Sequence, residues 1–212
     1  MARNYELDTK AAMESNSGGK RIKEAGAYTG QFTAAWYEQN DKGTESVSFL
    51  FKSAQGQEAG PLTLYTHKNT GEELPSFGTF NAILTCLRLR GVTAKQGKVE
   101  LYDFNSGGMV TKTKECYPEL VGKDIGIFLR QEEYTNSKNE LKERLVLINV
   151  YDPVTFLMAD EILRKVPAAE AAGFKRASEW LAKEPIKHQK GARPAAGAPV
   201  DHSAGLDDDI PF

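Results

Sequence analysis

Cysteine is scarce: Cys86 and Cys116 are the only two in 212 residues, and neither has a second Cys or a His close by at metal-ligand spacing. That argues against a disulfide framework or a Cys/His metal site and for reduced core thiols. Of three histidines only His67 lies outside the C-terminal stretch that holds His188 and His202, which leaves little for a His-based hydrolase. No run approaches the roughly 18 apolar residues of a membrane span. The first residues, Met1 to Glu6, carry no apolar stretch of the secretory kind. A soluble cytoplasmic chain with no membrane partner is expected. Excess charge is lacking too: 27 basic against 29 acidic residues give a net charge of -2. Residues 184–212 account for that deficit, so the preceding body is neutral, which does not favour a polyanion binder and leaves room only for a local basic patch.

What is present is strand periodicity. Residues 1–25 are polar, mixed in charge and expected to be flexible. From Gly26 the pattern alternates: Tyr28, Phe32 and Trp36 share one parity, and Thr29, Gln31, Thr33 and Tyr37 the other. Asn40-Asp41-Lys42-Gly43 is a turn signal. A second strand follows with Val47, Phe49 and Phe51 inward and Ser46, Ser48, Leu50 and Lys52 outward. A third, near Leu62 to His67, puts Thr63, Tyr65 and His67 on one face. Phe77, Phe80, Ile83, Leu84 and Leu87 then take helical spacing, ending near Gly91. Residues 92–123 contain a strand near Lys98 to Phe104 and a second short one near Lys112 to Cys116. Ile125 to Tyr134 and Leu141 to Tyr151 read as a long hairpin, followed by helices over Thr155 to Lys165 and Ala168 to Lys183. Residues 184–206 lose apolar content and become rich in Ala, Gly and Pro, the composition of a disordered linker.

Three strands, a helix and a strand pair follow the order of an OB-fold. The expected fold is mainly β: an OB-like five-stranded barrel over 26–183 with a helix between strands three and four, an insertion at 92–123, C-terminal helices and a disordered tail.

The last six residues carry the most specific chemistry. Asp207, Asp208, Asp209 and the terminal carboxylate give four negative charges, and Ile210, Pro211 and Phe212 add an apolar cap. Exposed Ile and Phe behind a linker make sense as a ligand: Phe212 fills a pocket, its carboxylate meets an Arg, and the aspartates meet a basic rim.

This ending closely resembles the acidic tip of bacterial single-stranded-DNA-binding proteins, in which an OB-fold is joined to the tip by a Gly/Pro-rich linker. The resemblance implies a tip that binds replication, repair and recombination enzymes. The body is similar instead to a phage family of single-stranded-DNA-binding or recombination-associated proteins, through Ile22 to Tyr28, the Gly43 to Val47 turn and strand, and the helix at Phe77 to Leu87. It implies sequence-independent coating of single strands during phage DNA replication or recombination, in the host cytoplasm. The partners would be single-stranded DNA and host or phage replication and repair proteins. No cofactor or metal is implied, and a homo-oligomer is left open.

Such a binder needs cations along the phosphates and aromatic faces for bases. Lys52, Tyr65, His67 and Lys68 lie outward on strands two and three, with Tyr37 ending strand one. Lys20, Arg21 and Lys23 precede the barrel, and Arg130 and Arg144 extend the groove along the hairpin. Tyr28, Phe32, Trp36, Phe49 and Phe51 fit the core better, and Trp180 fits a helix anchor. Catalysis is not expected. Ser17-Gly18-Gly19-Lys20-Arg21 lacks the first glycine and the Ser/Thr of a phosphate loop, and Asp103, Asp124, Glu132 and Glu133 are scattered by parity and loops. The alternative is an adaptor with weak DNA affinity that links a phage protein to host enzymes.

Overall fold

The computed structural model describes residues 21–103, 106–136 and 138–188, with Thr9 alone before them. Lys20, the linker from residue 189 onward and the acidic tip lie outside the described residues.

The architecture is mainly β. Among the described residues eight strands form one open sheet: β1 (Gly26–Gln39), β2 (Glu45–Ser53), β3 (Glu58–His67), β4 (Lys95–Asp103), β5 (Gly108–Cys116), β6 (Asp124–Thr135), β7 (Leu141–Tyr151) and β8 (Ile186–Lys187). Among the described residues three short α-helical elements accompany them: α1 (Ser76–Cys86), α2 (Ala159–Leu163) and α3 (Gly173–Lys183). All pairings are antiparallel except that of β8 with β6.

β1 is long enough to serve two neighbours on one edge. Its first half, Gly26 to Gln31, pairs with β6, and farther along Trp36 meets Cys116 of β5. The β4–β5 hairpin thus leaves the body as an arm and continues the β3-β2-β1 sheet. This is what residues 92–123 become. β7 lies alongside β3 without a ladder between them, and α1 packs against both.

The main core gathers Phe32, Phe49, Phe51, Leu62, Ile83, Leu120, Ile125, Ile127, Leu129 and Val150. The Phe32 and Phe49 rings pack tilted against each other with centroids 4.6 Å apart. A second cluster, Phe128, Tyr151, Met158 and Leu181 with Phe174 and Trp180 against it, seats α3. Phe128 alternates with Ile127 and Leu129, so β6 is buried on both faces, which explains its unbroken apolar run Ile125-Gly126-Ile127-Phe128-Leu129.

Several expectations are corrected. Residues 21–25 are not a loose leader: Ile22 is buried in the core, its N–H donates to Glu58 O at 2.8 Å, and Arg21 bridges Glu58. The linker does not begin at 184, because Ile186 and Lys187 add β8 beside Gln131 and Glu132, where β6 has an open edge. The stretch 155–165 is helical only as α2, since Asp152 takes up the N–H groups of Val154 and Thr155 in a turn.

Burial pushes the Cys86 thiol up to about 12, and the Asp152 carboxylate adds to this while Arg88 opposes it. Cys116 is half-buried, and burial raises it as well. Thiolate is the reactive form. A thiol reagent at pH 8 is expected to modify Cys116 slowly and Cys86 only after unfolding, read by mass spectrometry. Prompt labelling of Cys86 in the folded protein would contradict this packing.

Candidate nucleic-acid interface

Two bulges decide which side chains meet. Opposite β2, β1 carries one extra residue, Thr33, between Phe32 and Ala34. Beyond it the parity reverses: Ala35 and Tyr37 lie opposite the buried Phe49 and Val47, and Trp36 and Glu38 move to the outer face opposite Ser48 and Ser46. By register Tyr37 therefore lies on the Val47 side of β1 rather than in the row of Tyr65, yet it still lines the cleft beside Tyr65. Trp36 stays buried, 1% exposed, on that outer face rather than in the main core. The second bulge separates Glu45 from Ser46, so Glu45 faces His67 while Ser46 faces Tyr65. His67 turns to the ring of Phe77 in α1, 4.8 Å away, and to Glu45 at 3.8 Å, so it too leaves the Tyr65 face.

The outer face of β1–β2–β3 then carries two cross-strand rows, Trp36–Ser48–Thr63 and Glu38–Ser46–Tyr65. Lys114 comes in from β5 and donates to Glu38 Oε1 at 2.8 Å. Ser48 Oγ, fully buried, donates to Glu38 Oε2 at 3.2 Å and lies 2.8 Å from Thr63 Oγ1. Ser48 has one proton to give, so Thr63 is the donor between those two hydroxyls. The Trp36 indole N–H is buried beside the Glu38 carboxylate without closing a well-aligned bond. Burial disfavours the charged carboxylate, but the bonds from Lys114 and Ser48, with the Trp36 N–H dipole close by, outweigh it and hold Glu38 below the usual carboxylate range. The result is an open cleft of about 450 Å³ over these rows, with Tyr65 at its rim, 42% exposed.

Of the expected residues, Lys52 and Tyr65 share this outer face, by register. Lys68 lies at a separate cleft beside the start of α1 and pairs with Glu72 at 2.9 Å. Arg21 donates to Gly60 O at 3.0 Å, and Lys23 is exposed nearby, its carbonyl accepting from Gln131. Arg130 lies over the ring of Trp180 at 4.9 Å, where burial lowers its pKa against the pull of Glu132 and Glu184. Arg144 grips Glu132 at 2.7 Å and covers Tyr134 at 5.3 Å. Both arginines lie on one face of the β6–β7 ladder by register, where Trp180 of α3 covers Arg130 and Arg144 stays half-exposed against Glu132. Sequence parity places Ser48 and Thr63 on this face without giving them a role, and it misses Glu38 and Lys114. The only trace of the last was a short strand of low apolar content.

Two arms flank the sheet. On the β4–β5 arm Tyr102 and Met109 face each other, both exposed, and Leu141 is exposed at the end of the β6–β7 hairpin. Among the described residues no helix is long and apolar enough to cross a membrane.

Neither the models of known protein families nor the curated proteins contain a match to this chain. What it does must be argued from its residues.

Proposed function

We propose that this protein binds single-stranded DNA without strong sequence preference, on the outer face of β1–β2–β3, and protects it during DNA replication or recombination. The observation that carries the reading is the open cleft in which Tyr65 stands exposed on the same face as Lys114 and Lys52. Bases need such a ring and phosphates need such cations. The strand plan supports it. A three-strand meander, a helix and a hairpin follow the OB order, and β7 lies beside β3 with α1 packed on both, at the seam where an OB barrel would close. The tip Asp207 to Phe212 would then recruit replication and repair proteins, with no catalytic step in this chain.

Fluorescence anisotropy of labelled oligo-dT at two salt concentrations, with duplex DNA as competitor, tests this. Wild type is expected to bind, and duplex is not expected to displace the strand. Tyr65→Ala should weaken binding about 5- to 100-fold, the worth of one stacked base. Lys52→Ala should reduce the slope of log K against log salt by about 0.7. Absence of binding by wild type at low salt would refute the proposal.

One observation favours the adaptor reading. Lys68, Lys114 and Arg144 are each held by a carboxylate, and Arg130 is held by Trp180. If oligo-dT fails to bind, an adaptor acting through its acidic tip is what stands.

A further inference from the structure

A carboxylate is out of place at the centre of a surface that holds DNA phosphates, because it repels them. Glu38 is nonetheless fixed there, 36% exposed at its side chain, by Lys114 and Ser48. A strand crossing the cleft must therefore keep its phosphates away from Glu38 and turn a base edge to it. We infer that Glu38 and Lys114 together read guanine, and so give the cleft a base preference at one position of an otherwise indifferent strand. The inference rests on the single-strand reading of the same cleft.

The chemistry of the two groups selects the base. A carboxylate only accepts hydrogen bonds, and an ammonium only donates them. Guanine alone offers two adjacent donors, N1–H and the N2 amino group, beside an acceptor, O6. The donors suit Glu38, and O6 suits a remaining proton of Lys114, whose Nζ lies 2.8 Å from Glu38 Oε1. Thymine puts N3–H between two carbonyls, and its lone pairs would face the carboxylate. Cytosine and adenine each present one amino donor next to a bare ring nitrogen. Unstacked single strands expose this edge. Tyr65 lies in the same cross-strand row as Glu38, with only Ser46 between them. Two strand spacings, about 9.6 Å, separate their backbones. A base resting on Tyr65 can thus aim its edge across Ser46.

The test compares oligo-dT strands in which every fourth base is replaced by dG, dA, dC or deoxyinosine. Inosine keeps N1–H and O6 but lacks the amino group. The dG strand is expected to bind wild type about 5- to 10-fold tighter than the dA strand, as one bidentate contact provides, with inosine in between. In Glu38→Gln the dG advantage should vanish, while oligo-dT binds more tightly because a negative charge is gone. Equal affinity for all four strands, or a dG advantage kept by a folded Glu38→Gln, would overturn the inference and leave the single-strand reading intact. No binding to any strand would overturn both. The inosine comparison needs no variant, so it decides the matter even if Glu38→Gln does not fold.

Discussion

Gly30→Ala is expected to cost about 3 kcal/mol of stability or more, at the upper end of what overpacking does. Gly30 lies opposite Ser53, where β1 crosses the end of β2 closely enough that Ala54 N–H donates to Thr29 O at 2.8 Å. A Cβ there would overlap the Lys52 carbonyl oxygen, and would stand 2.7 Å from Ser53 Cα and 2.8 Å from the Phe51 ring. Two of those three neighbours are backbone, so no rotamer change relieves the clash. Relief would have to come from separating β1 from β2, and that opens the Phe32–Phe51 contact of the core, 6.0 Å between centroids. The matched control is Gly78→Ala in α1, where an added Cβ meets nothing within 4 Å. That change should stabilise by about 1 kcal/mol, because alanine is the better helix former. Urea unfolding followed by tryptophan fluorescence separates the two. A Gly30→Ala midpoint equal to wild type would mean that the crossing of β1 over β2 is looser than the register states.

The same crossing shows where the sequence was legible. Elements with a strong period were plain: the β6–β7 hairpin, the helix beginning near Phe77, and the inward row Val47, Phe49 and Phe51. What failed was parity across bulges. Thr33 is polar, sits in an alternating run and looks like any outward residue, yet it is the inserted position that exchanges the places of Trp36 and Tyr37. His67 fails for the same reason at Glu45/Ser46. Arg130 and Arg144 were expected on the groove because cations on a hairpin look available. The Trp180 that covers Arg130 and the Lys187 that shares Glu132 with Arg144 come from residues far along the chain, and no local pattern announces them. Glu38 carries no signal in the sequence, because cations and rings mark a DNA surface and a carboxylate matters only through its neighbours.

The neutral body bears on the kind of binder this would be. Cations already held by carboxylates release few counterions when a phosphate approaches. On the single-strand reading, affinity then comes mainly from stacking at Tyr65 and from contacts to base edges, and the salt dependence is shallow. On the same reading an acidic tip would compete weakly for a face that is not strongly positive, which would leave it available to other proteins.

Glu161→Ala is expected to cost about 3–5 kcal/mol at pH 7, as loss of three charge-assisted bonds to backbone implies. Glu161 is 3% exposed. Its Oε2 accepts from Met158 N–H at 2.9 Å, and its Oε1 accepts from Ala172 N–H at 2.9 Å and Gly173 N–H at 2.8 Å. It thus ties the start of α2 to the start of α3. Gly173 leaves it room, since a Cβ there would stand 2.9 Å from Oε2. Five residues of α2 cannot hold a helix unaided, and α3 brings Trp180 and Phe174 to the second cluster. Burial disfavours the Glu161 carboxylate, but the three N–H groups, with Arg176 adding to them, overcome it and lower its pKa from 4.5. A carboxylate depressed on folding contributes fully above its unfolded pKa, and that contribution is lost as the pH falls through the folded value. The gap between wild type and Glu161→Ala should therefore be constant from pH 7 down to about 4.5 and shrink below it. Glu161→Gln, which keeps one acceptor oxygen for Ala172 and Gly173, should fall between the two. Thermal melts at a series of pH values read all three proteins. A gap that stayed constant into acid would mean that the cost is lost packing rather than the ionised carboxylate.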